Sequence, residues 1–442
     1  MKKVLILAYD FPPYVSVGGL RPHNWYKYLK EFGVEPVIIT RQWDNEYGNE
    51  LDYIAPSKSK ETIIEHSTSG TIYRSPYLPN LSNRILLKHG NHRFKIFRKI
   101  ITAYYEFAQF FYVTGTKKEL YSAAQDYLRE NKVDAIIATG EPFVLFSFAS
   151  KLSKEFNTPW IADYRDLWSQ YGDVEKNTAL KLFYRFFEKR IMRNVNQITT
   201  VSEFLEHKIQ SLGIDKKFHL LPNGFDHELI DEVAQIEPKN DCLNIAFVGS
   251  IYEWHPWQSF ILNFCKYINE HPKAELKVNF YGVSGKERIE SFIMDNHPEL
   301  KDYFTFTPRI PNREVLERLA ENNVMLLFNY YSYMGTKIFD YLGVKRKIIL
   351  CYSDDKEANR LKEKYYGIEE IEGISKTLQA DLIAATKSGI VVKDAVHLSY
   401  VLDDLWQEFV EKGEIECNSI GVEKFSRKEQ VEKLAGIIKG LD

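Results

Sequence analysis

The sequence predicts an α/β chain built from two doubly wound parallel-sheet domains. Three observations carry that expectation. First, short apolar runs suited to buried strands recur at residues 4–8, 37–40, 134–138, 159–162, 197–201 and 218–221, and alternate with segments of helical spacing. Second, the pattern restarts after residue 243, with strand-like runs near 244–248, 276–281, 303–307, 324–328 and 347–351. Third, several of these runs end in glycine-containing or charged loops, the place where open α/β sheets bind ligands. A length of 442 residues holds two or three domains of ordinary size.

Bulk properties narrow the class. A net charge of −3 gives no footprint for nucleic acid. The aromatic share of 14% suits contact with sugars or a membrane interface, and equally a bulky core. Cys242, Cys265, Cys351 and Cys417 are scattered with no CxxC, which reads as reduced thiols and no metal site. The apolar start ends at Asp10 and Pro12, too short for a signal peptide, and no apolar run is long enough to span a bilayer. The expectation is a cytoplasmic protein, with association at the inner face of the membrane left open.

In chain order, the first strand runs into Tyr9-Asp10-Phe11-Pro12-Pro13 and a loop ending in Gly18-Gly19, then a helix over 20–32 and a second strand. This is a βαβ unit without the dinucleotide GxGxxG, and Arg41 stands where an acidic residue would end the second strand. Residues 66–105 contain no Asp or Glu but carry Arg74, Arg84, Lys88, Arg93, Lys95, Arg98 and Lys99. A helical pattern follows, with Ile100, Ile101, Tyr104, Tyr105, Ala108, Phe111 and Tyr112 on one face, Phe107 at its edge and Phe110 outside it. Residues 84–113 therefore suit an anchor on anionic lipid, or a core helix with a solvated basic flank.

Thr139-Gly140-Glu141-Pro142 ends the next strand. Thr139 and Gly140 suit a hydroxyl-rich ligand at a helix start, and Glu141 reads either as an acceptor-side carboxylate or as an acid favouring a helix N-terminus. The strand at 159–162 leads into Asp163-Tyr164-Arg165-Asp166-Leu167-Trp168. So many charges at a strand's C-terminal end are costly if buried unpaired, so either a functional site or a structural Arg–Asp pair is expected. A helix is expected over 176–193, a cap at Ser202, and a polar, acidic linker over 226–242.

The second half opens with Gly249-Ser250 and an aromatic loop containing Tyr252, Trp254, His255 and Trp257. Later, the run 324–328 is followed by three tyrosines, Gly335-Thr336 and a short helical pattern holding Lys337 and Asp340. Strand, turn and helix start leave backbone N–H groups pointing outward, which attracts phosphate. Lys337 opposes the helix dipole there and is tolerated best beside an anion. Lys337 and Asp340 fit a nucleotide diphosphate and its ribose, or a surface Lys–Asp pair. Helices are expected over 375–389, 394–412 and 426–438, the last capped by Ser426.

Taken together, Asp10-Phe11-Pro12-Pro13 with Gly18-Gly19, Thr139-Gly140-Glu141-Pro142-Phe143, residues 159–168, Thr200-Val201-Ser202, Leu221-Pro222-Asn223-Gly224, Phe247-Val248-Gly249, residues 337–342 and Phe425-Ser426 resemble the family 4 retaining glycosyltransferases of GT-B fold, in that family's order. The resemblance implies two Rossmann-like domains facing across a cleft. An acceptor-side domain would cover 1–226, joined by a helix from about 415–442, and a nucleotide-sugar domain would cover 227–414. It implies sugar transfer from a nucleotide-diphosphate sugar to a glycan or lipid-linked acceptor in cell-surface polysaccharide biosynthesis, with no metal or other cofactor. By position, Gly18 and Gly19 lie at the donor phosphates, Gly249 and Ser250 begin the donor loop, and Gly335, Thr336 and Lys337 lie by the diphosphate. Asp340 takes the ribose hydroxyls, while Arg165, Asp166 and Asp163 flank the reacting sugar.

The departures are specific. Ser332 stands where the family has the first of two glutamates, and Ser250 replaces an arginine after Gly249. Lys337, or Arg309 after the strand at 303–307, would then carry more of the diphosphate charge. Two other classes fit parts of the pattern: a non-catalytic GT-B scaffold, and a nucleotide-sugar epimerase.

Overall fold

The computed structural model describes residues 1–44, 51–170, 178–366 and 373–441. It divides into two compact units, Met1–Pro222 with Arg427–Asp442, and Asn223–Ser426.

Among the described residues the first unit holds eight strands: β1 (Lys2–Leu7), β2 (Val34–Arg41), β3 (Ile63–His66), β4 (Thr71–Ser75), β5 (Ala135–Thr139), β6 (Trp160–Tyr164), β7 (Gln197–Thr200) and β8 (Lys217–Leu220). Their order is β3-β4-β2-β1-β5-β6-β7-β8, parallel except for the β3–β4 hairpin. Val4, Leu5, Ile6 and Leu7 have no exposed surface, which explains why β1 reads as a continuous apolar run instead of an alternating one. The strand order reverses between β1 and β5, so the chain segments leaving their C-terminal ends diverge. Those segments carry Asp10 and Gly140.

The second unit holds β9 (Leu243–Val248), β10 (Leu276–Tyr281), β11 (Phe304–Thr307), β12 (Val324–Phe328), β13 (Lys347–Cys351) and β14 (Gly389–Val392). Their order is β11-β10-β9-β12-β13-β14, all parallel, with the reversal between β9 and β12. Gly249 follows β9, and the segment to Lys337 follows β12.

Four expectations are corrected. Gly18-Gly19 does not lie in a loop: the helix starts at Val17, and the Ser16 hydroxyl accepts a bond of 3.0 Å from the Gly19 N–H. Residues 226–242 are not simply a linker, because His227–Val233 is a helix capped by Asp226, with Ile230 and Val233 buried. The helix expected over 375–389 ends at Thr386, and Gly389–Val392 turns into β14 beside β13. The hairpin β3–β4 was not expected; β3 is four residues long and exposed throughout, so it carries no burial pattern. The helix expected over 176–193 runs Thr178–Met192, its first two residues lying outside the described ones.

The last helix, Arg427–Lys439, belongs to the first unit. Val431, Leu434, Ala435 and Ile438 share a core with Val4, Ile6, Tyr28 and Ile38. Lys2 Nζ donates to the carbonyls of Lys439 at 3.0 Å and Leu441 at 2.8 Å. Among the described residues no helix is long and apolar enough to cross a membrane.

Candidate functional site

In the first unit, polar side chains gather at the C-terminal ends of β5, β6 and β7. Asp163, near the end of β6, is fully buried and has both carboxylate oxygens occupied. The Arg21 guanidinium donates to it at 2.8 and 3.1 Å, the Thr139 hydroxyl at 2.9 Å and the Thr199 hydroxyl at 2.7 Å. Arg21 also donates to the carbonyl of Leu221 at 2.8 Å. Asp163 therefore ties both neighbouring strands to the helix Val17–Tyr28 and leaves no oxygen for a substrate. Asp163, expected among the catalytic residues, spends its carboxylate inside the fold, and Thr139, expected on the acceptor side, spends its hydroxyl on the same network.

Arg165 lies two residues on, just past the end of β6. Its guanidinium donates to the backbone carbonyls of Gly18 and Gly140, and to that of Glu141 at 3.1 Å. The first turn of the helix Val17–Tyr28 and the segment after β5 are thereby held on one cation. A Cβ on Gly18 would stand 2.9 Å from both an Arg165 nitrogen and Asp10 Oδ2, so both side-chain ends would have to shift to admit it. Gly19 is less crowded, its nearest neighbours being the Asp10 and Phe11 backbone at 3.5 Å.

Besides Asp163, three carboxyl groups lie around this cation. Burial raises the Asp10 carboxyl, opposed by the Ser16 hydroxyl bond and by Arg165 and Arg41. Burial raises Asp166 too, opposed by Arg165. Glu141 is raised first by burial and then by Asp166. Glu141 and Asp166 both reach solvent, so these are tunable surface-facing acids set in dense surroundings. Arg165→Ala frees three carbonyls and removes the cation these acids share. Transfer is expected to fall at least about a hundredfold while nucleotide affinity holds; equal loss of both by titration would assign Arg165 to donor binding.

In the second unit, Gly249 has φ +77, which a side chain adopts only under strain, and a Cβ there would stand 3.2 Å from Lys337 Cε. Lys337 Nζ donates to the Ser250 carbonyl at 2.9 Å and lies 4.2 Å from the centre of the Phe247 ring. No carboxylate lies within salt-bridge distance of it among the described residues. Burial pulls its pKa down from 10.5 to about 7, although the stem of the residue is partly exposed. Burial and Lys337 together keep His255 neutral.

Lys337 opens the helix Lys337–Val344, whose cap residue Thr336 makes no side-chain capping bond. A Cβ on Gly335 would meet nothing within 4 Å, so the turn is open on that side. Asp340 sits in the first turn of the same helix and is partly exposed. Arg309 lies beside Gly282, past the end of β10, on the same edge of the sheet. Ser332 is buried, 4% exposed. Beyond Ser250, Tyr252 and Trp254 stack at 4.5 Å and 8°, with Tyr330 nearly parallel to Trp254 at 6.4 Å. An enclosed cation at a helix start, beside flat aromatic surfaces, suits an anion joined to a ring.

Known proteins share this architecture. Residues 115–229 match the model of Glycosyltransferase Family 4. Among solved structures, sucrose-phosphate synthase of Thermosynechococcus elongatus superposes with a TM-score of 0.56 at 16% identity, over 99% of this chain and 96% of its own. The E. coli trehalose-6-phosphate structure bound with UDP-2-fluoro glucose gives a TM-score of 0.57 at 10% identity, over 99% and 96%. Anabaena HepE in complex with UDP-glucose gives 0.53 at 10% identity, over 100% of both chains. The fold is GT-B. No curated protein matches by sequence.

Within this GT-B chain the matched segment contains Thr139, Gly140, Glu141, Asp163, Arg165 and Asp166 but no residue of the Lys337 site. Asp10 and His255 are legible in the sequence only as parts of their loops, and Arg21 not at all. Asp10 follows β1, separated from β6 and Arg165 by β5, and its motif was the usable signal. Arg21 carried none, since its partner is 142 residues away.

Proposed function

We propose that this GT-B chain is a retaining glycosyltransferase that moves a sugar from a nucleotide-diphosphate sugar to a glycan or lipid-linked acceptor in cell-surface polysaccharide biosynthesis, on the cytoplasmic side of the membrane. The observation that carries this reading is Lys337: a cation enclosed without a carboxylate, at a helix N-terminus whose cap is open. An isolated buried cation is unfavourable, and a diphosphate is the partner that reverses the cost. Structural relatives are described in complex with UDP-glucose and UDP-2-fluoro glucose, which supports a nucleotide sugar as the donor.

In this reading the acceptor hydroxyl attacks the anomeric carbon on the face the diphosphate leaves. The carbon–oxygen bond to phosphate breaks with its electron pair on the diphosphate, and a phosphate oxygen takes the hydroxyl proton. No protein nucleophile or metal is required. Lys337 and the N–H groups at Gly335 and Thr336 stabilise the leaving charge, with Arg309 as a further cation. Asp340 accepts from the ribose. Arg165 holds Gly18, Gly140 and Glu141 in place, and Asp166 and Glu141 orient acceptor hydroxyls.

A panel of UDP-, GDP-, ADP- and TDP-sugars scored by thermal shift tests the donor half, and product analysis of the anomer tests retention. Stabilisation by none of them would favour a non-catalytic scaffold, the reading that Ser332 and Ser250 support. Binding also has an expected pH signature. The free-protein pKa of Lys337 near 7 rises when a diphosphate binds, so protons are taken up on binding. Affinity for the sugar nucleotide should fall as pH rises above about 7, by up to roughly tenfold per unit. Calorimetry in buffers of different ionisation enthalpy reads the uptake directly; none at pH 8 would place the diphosphate elsewhere.

A further inference from the structure

We propose that the outward face of the helix Lys95–Phe111 is a docking surface for an anionic phospholipid bilayer. The helix leaves most of its side chains uncovered. Only Ala108, Gln109 and Phe110 are buried in it. Ile96, Ile100, Tyr104, Phe107 and Phe111 are 76%, 62%, 64%, 39% and 55% exposed. At about 100° per residue these five positions form one stripe along the axis. The opposite side faces the helix Leu81–His89, where the Ser82 hydroxyl meets Thr102 Oγ1 at 2.8 Å. Before its last turn the helix buries none of its side chains, and the apolar stripe faces water.

The residue that sequence periodicity put outside the apolar face, Phe110, is the one in the core, where it stacks on Trp168 at 5.3 Å. The stripe that remains is continuous with a second element. Phe107 contacts Phe183 at 4.6 Å on the helix Thr178–Met192, whose Leu182 and Phe186 are 63% and 57% exposed. An exposed apolar surface spread over two helices is unusual for a protein that stays in water.

Charge selects the occupant. Lys99 is exposed on the flank of the stripe and Lys95 at the helix start, and Arg84, Lys88 and Arg93 come from the adjoining segment. No Asp or Glu occurs from residue 66 to 105 in a chain whose net charge is −3. The one acid of the helix, Glu106, accepts a hydrogen bond from Gln109 Nε2 at 2.8 Å. Aromatic and branched apolar side chains bordered by lysine and arginine match the boundary between acyl chains and anionic headgroups. A second copy of this chain would place like charges against each other.

This surface is independent of the transfer reading and is tested without it. The full-length protein is sedimented with vesicles of phosphatidylcholine alone and of phosphatidylcholine with phosphatidylglycerol, at low and high salt. The expected result is binding to the phosphatidylglycerol vesicles at low salt, weakened by salt and absent on phosphatidylcholine. Lys95→Gln with Lys99→Gln should lower partitioning roughly 30-fold, and Ile96→Ser with Ile100→Ser at least about tenfold. Both pairs are exposed, so the melting temperature and any sugar-nucleotide thermal shift should stay unchanged. Wild-type protein that ignores the vesicles overturns the proposal. So does a concentration-dependent dimer in light scattering that the Ile96→Ser, Ile100→Ser variant abolishes while vesicle binding persists.

Discussion

Lys337→Ala should lower kcat/KM for sugar transfer roughly 10- to 150-fold, the loss of one charge-assisted contact of about 1.5–3 kcal/mol. In the proposed reaction the contact strengthens as the diphosphate departs, so turnover should fall along with donor affinity. Lys337→Met keeps the stem against Phe247 and should lose as much, which separates charge from packing. Lys337→Arg should not rescue, because Gly249 leaves little room beside the lysine stem. The stability of these variants carries a second signature. The native pKa near 7 lies below the unfolded value of 10.5, so the unfolded chain binds more protons across that window. Wild-type stability should gain from this group as pH rises from 7 to 10.5, whereas Lys337→Met lacks the gain and starts higher at pH 7. Unchanged transfer in Lys337→Met would remove this residue from the donor site.

Asp163→Ala should be the most destabilising single change in the first unit. It leaves the Arg21 guanidinium, 8% exposed, without its carboxylate and strands the hydroxyls of Thr139 and Thr199. Breaking a buried ion pair from one side costs about 3–5 kcal/mol. The corresponding unfolding transition should fall by roughly 10 °C. Arg21→Met together with Asp163→Leu should recover part of the loss, since removing both charges leaves no orphaned ion. An Asp163→Ala protein that melts with the wild type, yet has lost transfer, would return Asp163 to a catalytic place.

The layout of parallel strands was legible because buried strands such as β1 and β12 are unbroken apolar runs, and because the βα rhythm restarts after Leu243. What escaped were elements whose signal is weak or shared. β3 is exposed and four residues long, and Gly389–Val392 follows a helix too closely for periodicity to separate the two. His227–Val233 was hidden by its acidic composition. At the candidate site, residue types at strand ends pointed to Arg165 and Lys337, but not to what they touch. Arg165 read as a site residue or as half of an Arg–Asp pair; three carbonyls from distant segments claim it, and only the assembled fold brings them there. The helix Lys95–Phe111 shows the same limit: periodicity identifies an apolar stripe but not which side of a helix faces the protein.

The return of Arg427–Lys439 to the first unit has a consequence for the order of assembly. The core around Val4 and Ile6 is completed by Val431, Leu434 and Ile438. A ribosome delivers those residues only after all of Asn223–Ser426 has been made. During synthesis the second unit can close on itself first, while β1 waits with one flank uncovered. β1, made well before its covering helix, is thus among the last elements to be sealed, and a chaperone meeting the nascent protein would find exposed apolar surface on that strand.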